Sequence, residues 1–216
     1  LWEKIAARYH DRAIIAGYDV LNEPDAPNAE ELNDLYGRLT AAIRLHDEGH
    51  IIFVEGERWA TKLQCVDSPD DDNTALSAHF YEPGWYTHDR DHPGDGSYPS
   101  EETGFTKAAL REALSERATP SQGLPVWMGE FGAQTSVPTY LAYSKDVRDL
   151  LDEMGMHWSY YDYKNLRGDP GSWAIYYMKP DNQFRQFVDD IVAGNKSFDD
   201  YTEQELTEIL TSLETT

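Results

Sequence analysis

Five runs of strand-forming residues alternate along this chain with segments of helical periodicity. The first is Ile14-Ile15-Ala16-Gly17 through Leu21, and the second is Ile51-Ile52-Phe53-Val54-Glu55. Leu76–Tyr81, Pro125–Gly132 and His157–Tyr163 follow. The first run is apolar on both faces, as strands buried on two sides are. Between the runs lie helical patterns. The clearest, 29–47, places Leu32, Leu35, Tyr36, Leu39, Ala42, Ile43 and His46 on one face, and 138–154 does the same with Tyr140, Leu141, Val147, Leu150, Leu151 and Met154. Residues 1–12 read as the end of an amphipathic helix, and further helices are expected over 104–118 and 182–192 and over Glu203–Leu213, where Thr202 and Glu205 form a capping box.

Strand–helix alternation calls for a parallel sheet with right-handed crossovers. An open doubly wound sheet and a (β/α)8 TIM barrel both satisfy it. No glycine-rich phosphate loop follows any strand, which counts against a nucleotide-binding sheet. A whole barrel takes about 250 residues. This chain has 216 and five legible strands. The expectation is therefore a partial barrel, strands 4–8 with their helices, forming one catalytic domain over 1–216 with an acidic helix or tail at 199–216. Leu1 is not Met and the first residues read as mid-helix, so the natural chain is expected to begin upstream.

In parallel α/β folds ligands bind at the carboxyl ends of the strands. Tyr18-Asp19-Val20-Leu21-Asn22-Glu23-Pro24 runs off such an end, because Pro24 has no N–H to continue a ladder. Taken alone, Asn-Glu-Pro is either an ordinary polar turn or a carboxylic acid beside an amide. Three strands later Glu130 lies at the end of Val126-Trp127-Met128-Gly129-Glu130. Alternation puts Met128 and Glu130 on the lumen face and turns Trp127 outward. It also puts His79 and Tyr81 together. Two carboxylic acids at two strand ends form the constellation of glycoside hydrolysis, one protonating the leaving oxygen and the other attacking the anomeric carbon or activating water. Their environments must separate their pKa values. A Tyr hydroxyl donating to Glu130 favours its ionised form, and negative neighbours favour the proton on Glu23.

The ordered set Leu21-Asn22-Glu23-Pro24, His79-Phe80-Tyr81, Trp127-Met128-Gly129-Glu130-Phe131-Gly132 and Trp158 resembles glycoside hydrolase family 5, the cellulase family of clan A. The resemblance covers roughly residues 1–190. It implies a TIM barrel and retaining chemistry, with Glu23 as acid/base and Glu130 as nucleophile. It further implies that Asn22 holds a sugar 2-hydroxyl, that Tyr81 orients Glu130, and that His79 lines the same subsite. Trp158 becomes the aromatic platform, with Tyr161 as its rival. The family usually needs no metal, and no cofactor is expected. The departure is large: the family's first three strands, with their Arg and His, are not in this sequence. A barrel lacking three strands has open edges, so this chain alone is expected to be poorly folded or inactive.

Composition narrows the partners. The net charge is −22, from 40 acidic and 18 basic residues. Such a surface repels phosphate backbones and anionic lipid. No run approaches the roughly 18 apolar residues of a membrane helix. Cys65 is the single cysteine, which excludes an intrachain disulfide. A monomeric, secreted enzyme acting on a neutral β-linked polysaccharide fits. β-1,4-Glucan is the leading substrate, with β-mannan, β-1,3-glucan, an exo-β-glucosidase or a glycolipid hydrolase as alternatives within the family. A catalytically silent carbohydrate-binding barrel is the alternative of another class. Trp59 and Trp85 follow strands and either stack on sugar or pack their loops. Glu55 and Glu57 alternate on the second strand, where one of them can face the lumen, and Glu57 either contacts substrate or forms a salt bridge. His88, Asp89, Asp91, His92 and Asp95 read as a solvated loop, not as metal ligands.

Overall fold

The computed structural model describes residues 1–67, 70–89, 96–119, 123–165, 172–174, 176–177 and 181–212. Asp91, His92 and Asp95 fall outside these, as does the end of the last expected helix. The strands β1 (Gly17–Asp19), β2 (Ile51–Glu55), β3 (Thr74–Phe80) and β4 (Val126–Phe131) lie side by side in chain order, and every pairing is parallel. That order is what short right-handed crossovers produce. It bears out the expected barrel segment. β1 is shorter than its apolar run, and Ile14 is exposed.

The fifth run is a strand by hydrogen bonding more than by regular geometry. Met128 N–H donates to the His157 carbonyl, Ser159 N–H to Met128, and Tyr161 N–H to Phe131. A single bridge joins Met128 to Trp158. Beyond it, β5 (Lys164–Asn165) and β6 (Tyr176–Tyr177) form a small parallel pair.

Helices α1 (Trp2–Tyr9), α2 (Ala29–Arg44), α5 (Lys107–Arg117) and α6 (Tyr140–Glu153) cover one face of the sheet. α3 (Glu57–Ala60) and α4 (Gly84–Thr87) are single turns at strand exits. Side-chain caps start α2 and α5. The Asn28 side chain accepts from Glu31 N–H, and Thr106 accepts from Ala109 N–H. α7 (Gln183–Val192) and α8 (Glu203–Thr211) follow, and Thr202 with Glu205 makes the expected capping box.

The core lies between sheet and helices. Val54, Leu76, Ala78, Phe80, Met128 and Phe131 meet Leu32, Tyr36, Ile43, Leu114, Tyr143, Val147 and Leu151. Each large side chain buried there contributes about 1.5–3 kcal/mol. Met128 is therefore an outer-face residue, against the alternation expected for it. The register explains why. Ser77 faces Trp127 and Ala78 faces Met128, but His79 faces Glu130, so Gly129 is an extra residue in a bulge. One inserted residue turns the strand's tip by one face. Trp127 thus points inward, 4.8 Å from Phe53, and Glu130 points inward only because of the bulge. Glycine is required there: a Cβ on residue 129 would lie 2.5 Å from the Ser77 hydroxyl.

Candidate active site

At the top of β1 the ladder ends with Val20 N–H donating to Phe53. Three residues later Glu23 turns left-handed, with φ +47°. Such a backbone costs about 1–2 kcal/mol outside glycine, so something must hold it. The Glu23 N–H donates to Glu55 Oε2 at 2.6 Å, across from the end of β2. The turn projects the Glu23 side chain over the sheet, where Oε1 lies 2.9 Å from His79 Nδ1. Asn22 beside it is exposed.

His79 is 2% exposed and stands between three carboxylates. Its Nδ1 faces Glu23 and also Glu130 Oε2, at 3.5 Å, and its Nε2 lies 3.2 Å from Glu55 Oε1. Donor atoms of Glu23, His79 and Glu130 all fall within 4.8 Å of one another. This spacing would suit a small cation, but the His79 ring already supplies positive charge between the carboxylates. Tyr81 completes the group: its hydroxyl donates to Glu130 Oε2 at 2.7 Å.

Burial alone would discharge the His79 ring. The carboxylate of Glu55, then Glu23 and Glu130, outweigh it and hold the ring's pKa up at about 9. Burial and the Glu130 carboxylate push the Tyr81 phenol far above its ordinary value, so it remains a donor. Beneath them, Asp19 is raised to about 7 by burial and then by Glu55, against the pull of Ser77 and His79. A cavity of about 430 Å³ opens above the group, lined by Glu23, Trp59, Thr61, Tyr81, Gly84 and His88. Another, of about 480 Å³, lies behind α2 near Arg44 and Asp71, on the helix side of the sheet and away from both glutamates.

Aromatic rings wall the site. Tyr161 lies within electrostatic reach of Glu130 and Glu23 and is 43% exposed. Trp173 packs edge-on against Tyr81 at 4.9 Å and His88 at 5.0 Å, and lies 6.2 Å from Tyr161. Its loop is pinned where Thr135 N–H and hydroxyl both donate to the Ser172 carbonyl.

A family model described as cellulase, glycosyl hydrolase family 5, matches residues 1–167. The chain belongs to glycosyl hydrolase family 5. Among curated proteins of that similarity, it is 31% identical over 185 residues to a β-xylosidase of Phanerodontia chrysosporium, covering 83% of this chain and 36% of that protein. It is 25% identical over 134 residues to endoglucanase H of Acetivibrio thermocellus, covering 61% of this chain and 14% of the other. The solved structure of Thermotoga maritima Cel5A with mannotriose superposes with TM-score 0.67 at 21% identity, over 81% of this chain and 59% of that one. The chain thus spans less than two thirds of the length of each of these proteins.

Against the family 5 expectations, the fold brings Glu23, His79, Tyr81 and Glu130 together and separates others. Trp158 is not at the site. It faces the helices, its indole N–H donating to Asp152 of α6 and its ring lying edge-on to Phe131. Tyr161, three residues on, is the aromatic residue of this run within electrostatic reach of both glutamates. Trp85 packs against Tyr86 and Phe105 rather than rimming the cavity. Glu57 opens α3 and gives its N–H to Cys65 Sγ, while Glu55 is the residue whose carboxylate faces inward. Trp59 does line the cavity and is 68% exposed, carried by left-handed residues at 58, 59 and 60. His88 is packed between Tyr81 and Trp173 rather than solvated. Trp173 went unmarked in the sequence because it lies in a Gly- and Pro-bearing stretch with no periodicity. Among the described residues no helix is long and apolar enough to cross a membrane.

Proposed function

We propose that this chain carries the catalytic pair of a retaining glycoside hydrolase acting within a neutral β-linked polysaccharide, with β-1,4-glucan as the leading substrate. The observation that carries the reading is the Glu23–His79–Glu130 cluster at the strand ends, with Tyr81 donating to Glu130. Oxygens of the two glutamates lie within 4.8 Å of each other. Retaining enzymes keep their carboxyls about 5–5.5 Å apart, whereas inverting ones leave about 6.5–9.5 Å for a water.

In this reading the Glu130 carboxylate attacks the anomeric carbon while Glu23 gives its proton to the departing glycosidic oxygen. A glycosyl ester forms on Glu130 and the shortened chain leaves. Glu23, now a carboxylate, takes a proton from water, whose oxygen attacks the same carbon and frees Glu130. Asn22 is the candidate contact for the sugar 2-hydroxyl. Tyr161 is the platform beneath the ring, and Trp59 stacks the leaving portion. A substrate-binding barrel without catalysis would not need both glutamates.

A second reading, an exo-acting β-glycosidase, draws on Trp173. That ring stands across the site beside Tyr81 and Tyr161, and such a wall suits a substrate entering by its end. The similarity to a β-xylosidase points the same way.

The test is covalent trapping. Incubation with 2-deoxy-2-fluoro-β-glycosides of glucose, xylose and mannose, followed by peptide mass spectrometry, is expected to place one sugar on Glu130. An adduct on any other residue would sink the assignment. Product lengths from β-1,4-glucan and aryl β-xyloside then separate the two readings.

A further inference from the structure

We propose that Glu55 is a positioning residue of this site, holding the backbone of Glu23 and the ring of His79 at once so that both face Glu130. The proposal rests on the reading of Glu23 and Glu130 as the catalytic pair and extends it to a third carboxylate.

Glu55 is 1% exposed. A carboxyl group removed from water needs a polar partner for each oxygen. It has two. Oε2 accepts the Glu23 N–H at 2.6 Å, and Oε1 lies 3.2 Å from His79 Nε2. Its own backbone is fixed from α2: the Tyr36 hydroxyl donates to the Glu55 carbonyl at 2.6 Å, and Glu55 N–H reaches back to Tyr36 Oη at 3.2 Å. The carboxylate is therefore anchored before substrate arrives.

Each contact does something the site needs. The first offsets the left-handed backbone of Glu23, at φ +47°, which aims that side chain over the sheet. The second engages Nε2–H of His79 and so orients Nδ1–H toward Glu23 and Glu130. The groups facing the ring are Glu55 from β2, Asp19 and Glu23 from β1 and its exit, Glu130 from β4, and Tyr81 at 6.4 Å. Arg117 of α5 reaches the His79 carbonyl, at 3.3 Å. Carboxylates therefore dominate around the imidazole, and Glu55 is the most buried of the three beside its nitrogens. Its hydrogen bond contributes most to holding the ring charged.

Glu55→Gln keeps the size and an acceptor for the Glu23 N–H but removes the charge. The experiment pairs a nitrogen-15 histidine titration of the chain with kinetics on aryl β-glycosides from pH 4 to 9, using His79→Gln to identify the ring's signals. In Glu55→Gln the His79 titration is expected to fall by at least about one pH unit. kcat is expected to fall about tenfold with KM nearly unchanged, and the basic limb of the profile to move to lower pH. An unshifted His79 overturns the positioning role. Hydrolysis undiminished in Glu130→Gln, with His79 still shifted in Glu55→Gln, overturns the catalytic-pair reading and leaves the geometry standing. Glu55→Asp keeps the charge and withdraws the carboxylate, so it remains informative if the Gln variant does not fold. It is expected to lower kcat while His79 titrates near its original pH, and an unchanged kcat would overturn the role.

Discussion

A buried histidine meets carboxylate at each end of the sheet, and the two clusters behave in opposite ways. At the amino end, Asp47 takes the Tyr18 hydroxyl at 2.6 Å, the N–H groups of Gly49 and His50, and His50 Nδ1 at 2.5 Å. Arg44 ties the same turn down through the carbonyls of Asp47 and His50. There one carboxylate is surrounded by donors. At the carboxyl end, Glu23, Glu55, Glu130 and Asp19 surround one imidazole. Acceptors outnumber donors, and a cavity opens above. The first cluster is satisfied and closed. The second holds charge it cannot fully pair, which is how sites for proton transfer are built.

The largest expected effects fall on opposite observables. Glu130→Gln should reduce hydrolysis by roughly a thousandfold or more while thermal unfolding stays within a degree or two of the original. Asp47→Ala should do the converse. It strands Tyr18 and the N–H groups of Gly49 and His50, and each hydrogen bond to a buried charged group is worth about 1.5–3 kcal/mol, read as a lower urea midpoint with activity per folded molecule retained. If Asp47→Ala abolished turnover in protein that remained folded, the division between the two ends would fail.

Next in size is pH. Asp19 titrates near 7 when folded, raised from 3.8 by burial and then by Glu55. Between about 4 and 7 the folded state binds more protons than the unfolded one, so stability falls as pH rises across that window. His79, raised from 6.5 to about 9, contributes stability that is complete below about 6.5 and lost as pH climbs through 9. Asp47 is opposite in sign. Burial works against its charge, but the hydrogen bonds from Tyr18, His50 and Gly49 prevail and hold its pKa well below 3.8. Its contribution is present above 3.8 and lost as acid protonates it. Urea unfolding measured from pH 3 to 9 should therefore peak on the acid side, and Asp19→Asn should flatten the decline from 4 to 7. An unchanged slope in that variant would remove Asp19 from the account.

The aromatic residues give the smaller effects. Tyr161→Ala should raise KM by up to about tenfold, the loss of a stacked ring being worth about 0.5–1.5 kcal/mol. Trp158→Phe should leave KM unchanged and lower stability by about 1 kcal/mol through the lost bond to Asp152. Trp59→Ala should raise KM only a few-fold, because the ring is largely in water. A larger effect at Trp158 than at Tyr161 would reverse the placement of the platform.

Much of this architecture was legible in the residues. The alternation of strand and helix, the capping pair Thr202 and Glu205, and the order of Glu23, His79, Tyr81 and Glu130 are local facts, written in periodicity and in short motifs. What escaped depends on single-residue shifts. Strict alternation put Met128 inward and Trp127 outward, and the bulge at Gly129 exchanged them while still delivering Glu130 to the lumen. The end of β2 offered either Glu55 or Glu57 to the lumen, and because the chain leaves the strand at Gly56 only Glu55 remains in it. A Cβ at Gly56 would lie 2.2 Å from the Lys62 carbonyl, which is why the turn is so tight there.

The sequence by itself determined that the sheet is parallel and which acids end its strands, because both follow from side-chain pattern and from a proline that stops a ladder. Only the tertiary structure decided which tryptophan or tyrosine faces the carboxylates, and that a third glutamate stands behind them. Those choices turn on a bulge, a left-handed residue and the meeting of four chain segments at one imidazole. None of these has a period that a single segment could reveal.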